Sequence, residues 1–168
     1  YKVEKYIERC LDSIKSQTFQ NYEVIMINDG TPDKSALIAE KYTSDPRFKL
    51  YHQKNSGIGT VRNRAIDMAG GEYLAFVDSD DHILPNHLEG LCKAAEENDA
   101  DIVCCGYCCC DENGKHFRTS KILKRRGVYP AERLYGNIIR DISIRRYVWN
   151  KLFRKKLFTD NGLYFPEM

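Results

Sequence analysis

The chain has 168 residues, 42% of them hydrophobic and 30% charged, with a formal net charge of +2. That is the size of one domain with a single core, in an ordinary soluble composition. It excludes a surface dominated by nucleic-acid electrostatics, hence a nucleic-acid partner, and no run approaches the ~20 apolar residues that span a bilayer.

Val3, Tyr6, Ile7, Cys10, Leu11 and Ile14 recur at helical spacing and predict a helix over 2–17 with one apolar face. A charged amphipathic opening of this kind is not a signal peptide. Residues 22–28 form a β-rich run that Asp29-Gly30-Thr31-Pro32-Asp33 breaks. Thr31 before Pro32 marks a helix start, giving a second helix over 32–44. A strand over 48–52, a loop over 53–57 and a helix over 58–69 follow. Gly70-Gly71 ends that helix ahead of a strand over 72–78. Pro85-Asn86 starts a helix reaching Asn98, and 101–110 reads as a further strand.

This alternation predicts an α/β fold, a mostly parallel sheet covered by helices on both faces. The first element is a helix with no strand ahead of it, although such a helix normally arrives from a strand through a right-handed crossover. The chain reads as beginning one strand late. After residue 110 the pattern changes: Asp111-Glu112-Asn113-Gly114 signals a hairpin, and Lys121, Lys124, Arg125 and Arg126 make a basic stretch. Helical segments are expected over 130–141 and 147–158, with Asn161-Gly162 closing the last. The whole is one domain, 1–168, in two parts, 1–110 and 111–168.

Five of the seven cysteines lie within 104–110, and Cys105-Gly106-Tyr107-Cys108 is formally a C-x-x-C. A zinc site would need a second ligand pair, and His116 stands alone. Neighbouring cysteines on a strand also point to opposite faces. They are read as small hydrophobes of a core strand in a reducing cytosol.

The richest stretch is Tyr73-Leu74-Ala75-Phe76-Val77-Asp78-Ser79-Asp80-Asp81, an apolar run ending in three carboxylates within four residues. So much negative charge repels itself. A hard divalent cation such as Mg²⁺ or Mn²⁺ compensates it and often shares its oxygen ligands with substrate phosphates. The alternative is an acidic loop that caps the next helix. If extended geometry persists, Asp78 and Asp80 share one side and Asp81 points away. Ligands of α/β sheets bind outside the carboxyl ends of strands, where both Asp29 and Asp78 fall.

Several segments, in order, resemble bacterial glycosyltransferase family 2. The run from Tyr1 to Ile14 is similar to its first helix, and Val24-Ile25-Met26-Ile27-Asn28-Asp29-Gly30-Thr31-Pro32-Asp33 to its second strand and "DDGS-D" turn. Asn55-Ser56-Gly57 with Val61-Arg62-Asn63 resembles the "N-x-G-x-x-x-A-R-N" segment. The 71–81 stretch resembles the D-x-D region, and Trp149-Asn150-Lys151-Leu152-Phe153 a later segment.

The resemblance implies a GT-A fold and a metal-dependent, inverting transfer of a sugar from a nucleotide-sugar donor, expected to be UDP-linked, to a glycan or lipid-linked acceptor. It implies a donor-binding half over 1–110 and part of an acceptor side over 111–168. Asp80 would coordinate Mn²⁺ or Mg²⁺, and Asp78 would contact the donor ribose or the metal's surroundings. Asp29 would bond the nucleobase, Tyr1 would stack on it and Arg62 would lie beside it. Aromatic faces suit stacking, and a carboxylate suits an imide N–H. Each residue has a plainer alternative: Tyr1 packing the helix start, Asp29 capping, Arg62 in a surface ion pair, Trp149 as a core anchor. The basic stretch is a solvated face, or draws the protein to an anionic membrane carrying the acceptor. The work would be surface-polysaccharide or glycolipid synthesis in the cytoplasm or at the inner face of its membrane.

Two positions depart from the family's pattern: Lys2, where asparagine is common, and Asn28, in place of the turn's first aspartate. The family's first strand would precede Tyr1, and its general base would follow Met168. Glu167 is too early for that role, so the catalytic base is unknown. A partner chain, including a second copy in a homodimer, is another way to complete the sheet. Two other classes stay open: a nucleotide-sugar-binding scaffold without transfer activity, and a metal-dependent phosphatase or nucleotidyltransferase. His82-Ile83-Leu84 follows the aspartates where an aspartyl-phosphate phosphatase would want a threonine.

Overall fold

The computed structural model describes residues 1–111, 115–119, 127–134 and 147–167. Helix α1, Ile7–Lys15, buries Cys10, Leu11 and Ile14. It is shorter than the predicted 2–17 because Lys2 sits at φ 58°, in the left-handed region, which breaks the helical path ahead of Val3. Strand β1, Val24–Asp29, pairs in parallel with β2, Phe48–Gln53, from Val24 opposite Phe48 to Asp29 opposite Gln53. Among the described residues β2 is the only ladder partner of β1.

Between them α2, Ser35–Glu40, runs into the 3-10 turn Lys41–Ser44. The expected start at Thr31-Pro32 moves inward because those residues belong to a turn. The Asp33 carboxylate accepts the Ser35 amide at 3.1 Å and the Thr31 hydroxyl at 2.7 Å. Helix α3, Ile58–Met68, and helix α4, His87–Glu97, lie where their apolar spacing predicts.

The strand expected over 72–78 is shorter: β3 is Tyr73–Ala75. The strand expected over 101–110 is two strands, β4, Ile102–Cys104, and β5, Cys108–Cys110, parted at Cys105-Gly106-Tyr107. The hairpin is present, with β5 antiparallel to β6, His116–Thr119, and an irregular register at Cys109/Cys110. The segment expected as a helix over 147–158 is instead strand β7, Lys151–Arg154, followed by one helical turn, α5, Lys156–Thr159. β7 lies between β3 and β4 and is antiparallel to both, so β3 and β4 run in the same direction. Of the helix expected over 130–141, Ala131–Arg133 is a 3-10 turn; residues 135–141, and the basic stretch over 121–126, lie outside the described residues.

The α/β architecture with flanking helices therefore stands, in mixed form: among the described residues there is one parallel pair, and two antiparallel groups in place of a mostly parallel sheet. One core gathers Cys10, Leu11 and Ile14 of α1 with Ala39, Tyr42 and Phe48. A second joins Leu91 and Ala95 of α4 to Leu152 of β7, with Tyr73 and Val103 against it. All seven cysteines are free thiols. Those over 104–110 are half-buried except Cys108, which is exposed. Burial pushes the Cys104 and Cys105 thiols up, as expected of inert core cysteines. Among the described residues no helix is long and apolar enough to cross a membrane.

Candidate functional site

The carboxyl end of β1 is organised by Asp29. Its Oδ1 accepts from Gln53 Nε2 at 2.9 Å, the Ser56 amide at 2.9 Å and the Ser56 hydroxyl at 3.1 Å, and its Oδ2 accepts the Gly57 amide at 3.1 Å. Burial alone would raise this acid, but those bonds outweigh it and hold it below the usual carboxylate range. The loop over 53–57 is thereby fixed at the entrance to α3. Gly57 adopts φ 86° there, a conformation glycine tolerates and side chains rarely adopt. Asn28, the departure from the family's turn, has its own work: its Oδ1 accepts the Thr31 amide at 2.9 Å and its Nδ2 lies 3.1 Å from His52 Nδ1.

The N-terminal residues lie on the same turn. Lys2 donates its amide to Thr31 Oγ1 at 2.8 Å, and Glu4 donates its amide to Asp33 Oδ2 at 3.2 Å. Tyr1 is therefore tethered beside the Asp29 turn with its ring 58% exposed, the Lys2 ammonium 5.5 Å from the ring centroid.

Past β3 the chain leaves extended geometry. The Asp81 amide donates to the Asp78 carbonyl at 3.0 Å, making 78–81 a closed turn. The same-side placement of Asp78 and Asp80 rested on extended geometry, so that inference does not hold; aspartate and serine are turn formers, and no ladder partner extends the strand. Asp80 is exposed, with no hydrogen bond or salt bridge among the described residues. Asp81 is raised above its ordinary value, by desolvation first and then by the charges of Asp80 and Asp78. Beneath the turn, the Cys10 thiol points at the Asp78 carbonyl, 3.7 Å away. Burial, followed by the charges of Asp81, Asp80 and Asp78, pushes that thiol up to about 12, so it stays protonated.

Arg62 reaches the turn from α3, its Nη2 lying 3.4 Å from Asp78 Oδ1. Helix α3 thus touches both carboxylates: the loop at its N-terminus binds Asp29, and its second turn binds Asp78. The structure brings Asp29, Arg62 and Asp78 to one helix, with Asp80 exposed beside them and Tyr1 on the neighbouring turn. Among the described residues no three His, Cys, Asp or Glu side chains converge as a ready-made metal cluster. The donor set still suits a hard cation: it is oxygen-only, three carboxylates on one turn, with Asp81 raised by burial and then by the charges of Asp80 and Asp78.

Sequence reasoning missed Gln53 and Ser56, which hold Asp29, and Asn63, which is buried at 7% exposure. Asn63 Nδ2 donates to the Phe165 carbonyl at 3.0 Å, and its Oδ1 accepts the Phe165 amide at 2.8 Å. Ser56 and Asn63 lay within the segments that carry the family resemblance but were given no task there; a further signal was an asparagine on the inner face of a helix, a residue that needs a polar partner when buried. Trp149 packs as an aromatic anchor, with its ring centroid 4.8 Å from Tyr107 and 5.0 Å from Tyr147.

The chain as a whole has known relatives. A family model, "Glycosyl transferase family 2", matches residues 1–162. The chain is 40% identical over 167 residues to the putative glycosyltransferase EpsH of Bacillus subtilis, covering 99% of this chain and 48% of that protein. The uncharacterized glycosyltransferase EpsJ of the same organism is 36% identical, with 99% and 49% covered. In structure it is similar to S. aureus TarS 1–349 in complex with UDP-GlcNAc, at a TM-score of 0.76 and 31% identity, covering 99% of this chain and 46% of that one. The chain spans about half the length of the curated relatives it matches. With a match over nearly its whole length and the expected α/β architecture, the chain belongs to glycosyl transferase family 2.

Proposed function

We propose that this chain carries the nucleotide-sugar side of a metal-dependent, inverting glycosyltransferase. It would move a sugar from a UDP-linked donor to a hydroxyl of a glycan or lipid-linked acceptor, in surface-polysaccharide or glycolipid synthesis at or near the inner face of the membrane. The observation that carries this reading is the bridging of two carboxylates by one helix, Asp29 at the end of β1 and Asp78 in the turn beyond β3: α3 meets Asp29 through the Gly57 amide at 3.1 Å and Asp78 through Arg62 at 3.4 Å. Sites of this kind lie outside the carboxyl ends of strands in α/β folds. The likeness to a protein crystallised with UDP and with UDP-GlcNAc supports the donor class.

Each residue has a physical task in this reading. The exposed Tyr1 ring offers a face to the base. Asp29 Oδ2, which accepts a single bond in the free chain, has a lone pair for an imide N–H. Arg62 holds the Asp78 carboxylate in place for a ribose hydroxyl and supplies positive charge near the diphosphate. Asp80, exposed and otherwise unbonded among the described residues, would hold Mg²⁺ or Mn²⁺ together with the donor phosphates. When bound, that cation neutralises charge on the departing nucleoside diphosphate. Inversion needs a base on the acceptor side, and no side chain described here is assigned to it.

Calorimetric titration with UDP, with and without Mn²⁺, tests the reading. UDP should bind with Mn²⁺ present, and Asp80→Ala should remove the metal-dependent part of the affinity. Absence of UDP binding, or metal-dependent binding that survives Asp80→Ala, overturns it.

A further inference from the structure

Residues 163–167 cross the molecule as a strap whose fastening goes beyond packing. Asn63 grips the Phe165 peptide by both its N–H, at 2.8 Å, and its carbonyl, at 3.0 Å, as a neighbouring strand would. One turn earlier on α3, Gly59 leaves a notch for the strap: a Cβ there would stand 2.0 Å from the Pro166 carbonyl oxygen. Any side chain at 59 therefore expels the strap, because the opposing atom is backbone.

The Phe165 ring is wedged between the two elements that carry the donor-side pair. On one side the Arg62 guanidinium lies 5.4 Å from the ring centroid. On the other, Phe76, two residues before Asp78, meets the ring edge-on at 5.7 Å, and Phe158 of α5 stacks on it at 6.3 Å. Phe76 and Phe158 are in turn packed on Phe153 of β7, at 6.1 and 5.6 Å. The ring thus rests on a rigid aromatic floor and presents its face to Arg62. A guanidinium is held over such a face by the ring quadrupole, which also limits the rotamers open to a long side chain.

We infer that the 163–167 strap is a positioning element of the nucleotide site: Asn63 and Gly59 dock it, and Phe165 holds Arg62 against Asp78 to set the affinity for a nucleoside diphosphate. Asn63 and Phe165 are positioning residues that act through Arg62 without touching the ligand. The inference rests on the reading of the 78–81 turn as the donor site.

The test is UDP affinity in the presence of Mn²⁺, read by calorimetry on folded variants. Phe165→Leu keeps apolar volume but removes the ring face, and should weaken UDP binding roughly three- to tenfold. Phe165→Tyr keeps the face and should stay within about twofold of the unsubstituted chain. Gly59→Ala, which raises the helix propensity of α3 yet displaces the strap, should weaken binding like Phe165→Leu. In an Arg62→Ala background, Phe165→Leu should add no further loss, the signature of two residues acting through one contact. Unchanged affinity in both Phe165→Leu and Gly59→Ala overturns the inference, as does a Phe165→Tyr loss equal to that of Phe165→Leu. Additive losses in the double variant overturn it too, since they would mean general packing. If the unsubstituted chain binds no UDP, the donor reading itself falls and the strap inference with it. Should Phe165→Leu fail to fold by circular dichroism, the Gly59→Ala affinity decides.

Discussion

The Asp29 carboxylate receives the amides of Ser56 and Gly57, the Ser56 hydroxyl and the Gln53 amide, so the peptide entering α3 hangs on a single side chain. Asparagine at 29 is not a conservative change, because its Nδ2 would face a donor in place of an acceptor. Asp29→Asn should therefore lower stability by about 1–3 kcal/mol, the range for hydrogen bonds to a charged group. In a chain of this length that is a fall in melting temperature of roughly 2–10 °C. The pH dependence follows from the direction of the shift. The folded chain holds Asp29 below its ordinary value of 3.8, and Asp33 is depressed as well, burial opposing but the Ser35 and Thr31 bonds prevailing. Stabilisation from both is complete above about pH 4 and is lost as pH falls through their lower folded values. Thermal melts in this window should show a shallower acid limb for Asp29→Asn than for the unsubstituted chain; identical limbs would remove Asp29 from the account. The residues gathered at the candidate site were visible in the sequence: an aspartate ending a strand, an aspartate cluster shortly after another, an arginine on the helix between. Their partners were not. Gln53 and Ser56 are ordinary loop residues by composition, and the turn at 78–81 is decided by a backbone bond that no spacing rule encodes.

At the scale of elements, α3 and α4 follow their apolar spacing to within about two residues, because each buries a single stripe. β7 does not follow it. Trp149, Leu152 and Phe153 fall at spacings that a helix would satisfy, but the slot between β3 and β4 offers two ladders of hydrogen bonds, and pairing outweighs local periodicity. Phe153 sits opposite Leu74 on one side and Ile102 on the other. Leu152, 3% exposed, closes the second core against Leu91 and Ala95. Asn150, 1% exposed, extends the seam: its Nδ2 donates to the Cys105 carbonyl at 3.1 Å and its carbonyl accepts the Cys105 amide at 3.0 Å. Leu152→Ala removes side-chain volume where three strands and α4 converge, and should cost about 2–5 kcal/mol, measured as a shift of the urea midpoint. A change below about 1 kcal/mol would mean that the second core collapses around the gap and that β7 is less central than its pairing indicates. The break of the cysteine-rich run into β4 and β5 has a related cause. Cys105 still follows the β4–β7 register, its amide bonded to the Asn150 carbonyl, but its carbonyl is taken by the Asn150 side chain, and β4 ends there ahead of Gly106.

For the molecule as a whole, the 78–81 turn depends on what ties the two hydrophobic clusters together, since it draws on elements beside both. Cys10 of the first cluster touches the Asp78 carbonyl from α1, while Phe76 ties the same segment to Phe153 of β7. The strongest polar tie between the clusters is Gln17, 1% exposed. Its Nε2 donates to the Leu84 carbonyl at 2.7 Å and the Ser13 carbonyl at 3.0 Å, and its Oε1 accepts the Leu88 amide at 3.0 Å. Thr18 adds an amide bond to the Pro85 carbonyl at 2.8 Å, and Ser13 Oγ accepts the Ile83 amide at 3.1 Å. Together these bonds fasten the end of α1 to the approach of α4. Gln17→Leu preserves bulk but leaves the part-buried Leu84 carbonyl and Leu88 amide without the side-chain partner they have now. Each orphaned group costs about 1–3 kcal/mol. The loss should therefore reach roughly 2–5 kcal/mol, and it should fall on the joint rather than on either cluster. Urea unfolding followed by two probes distinguishes these cases. Far-UV dichroism and the fluorescence of the single tryptophan, Trp149, should coincide in the unsubstituted chain and separate in Gln17→Leu. Coincident transitions in the variant would place the coupling elsewhere. Because the 78–81 turn is held from α1 through Cys10 and from β7 through Phe76, the same variant should also weaken the UDP binding proposed for that turn at urea concentrations where both clusters remain folded.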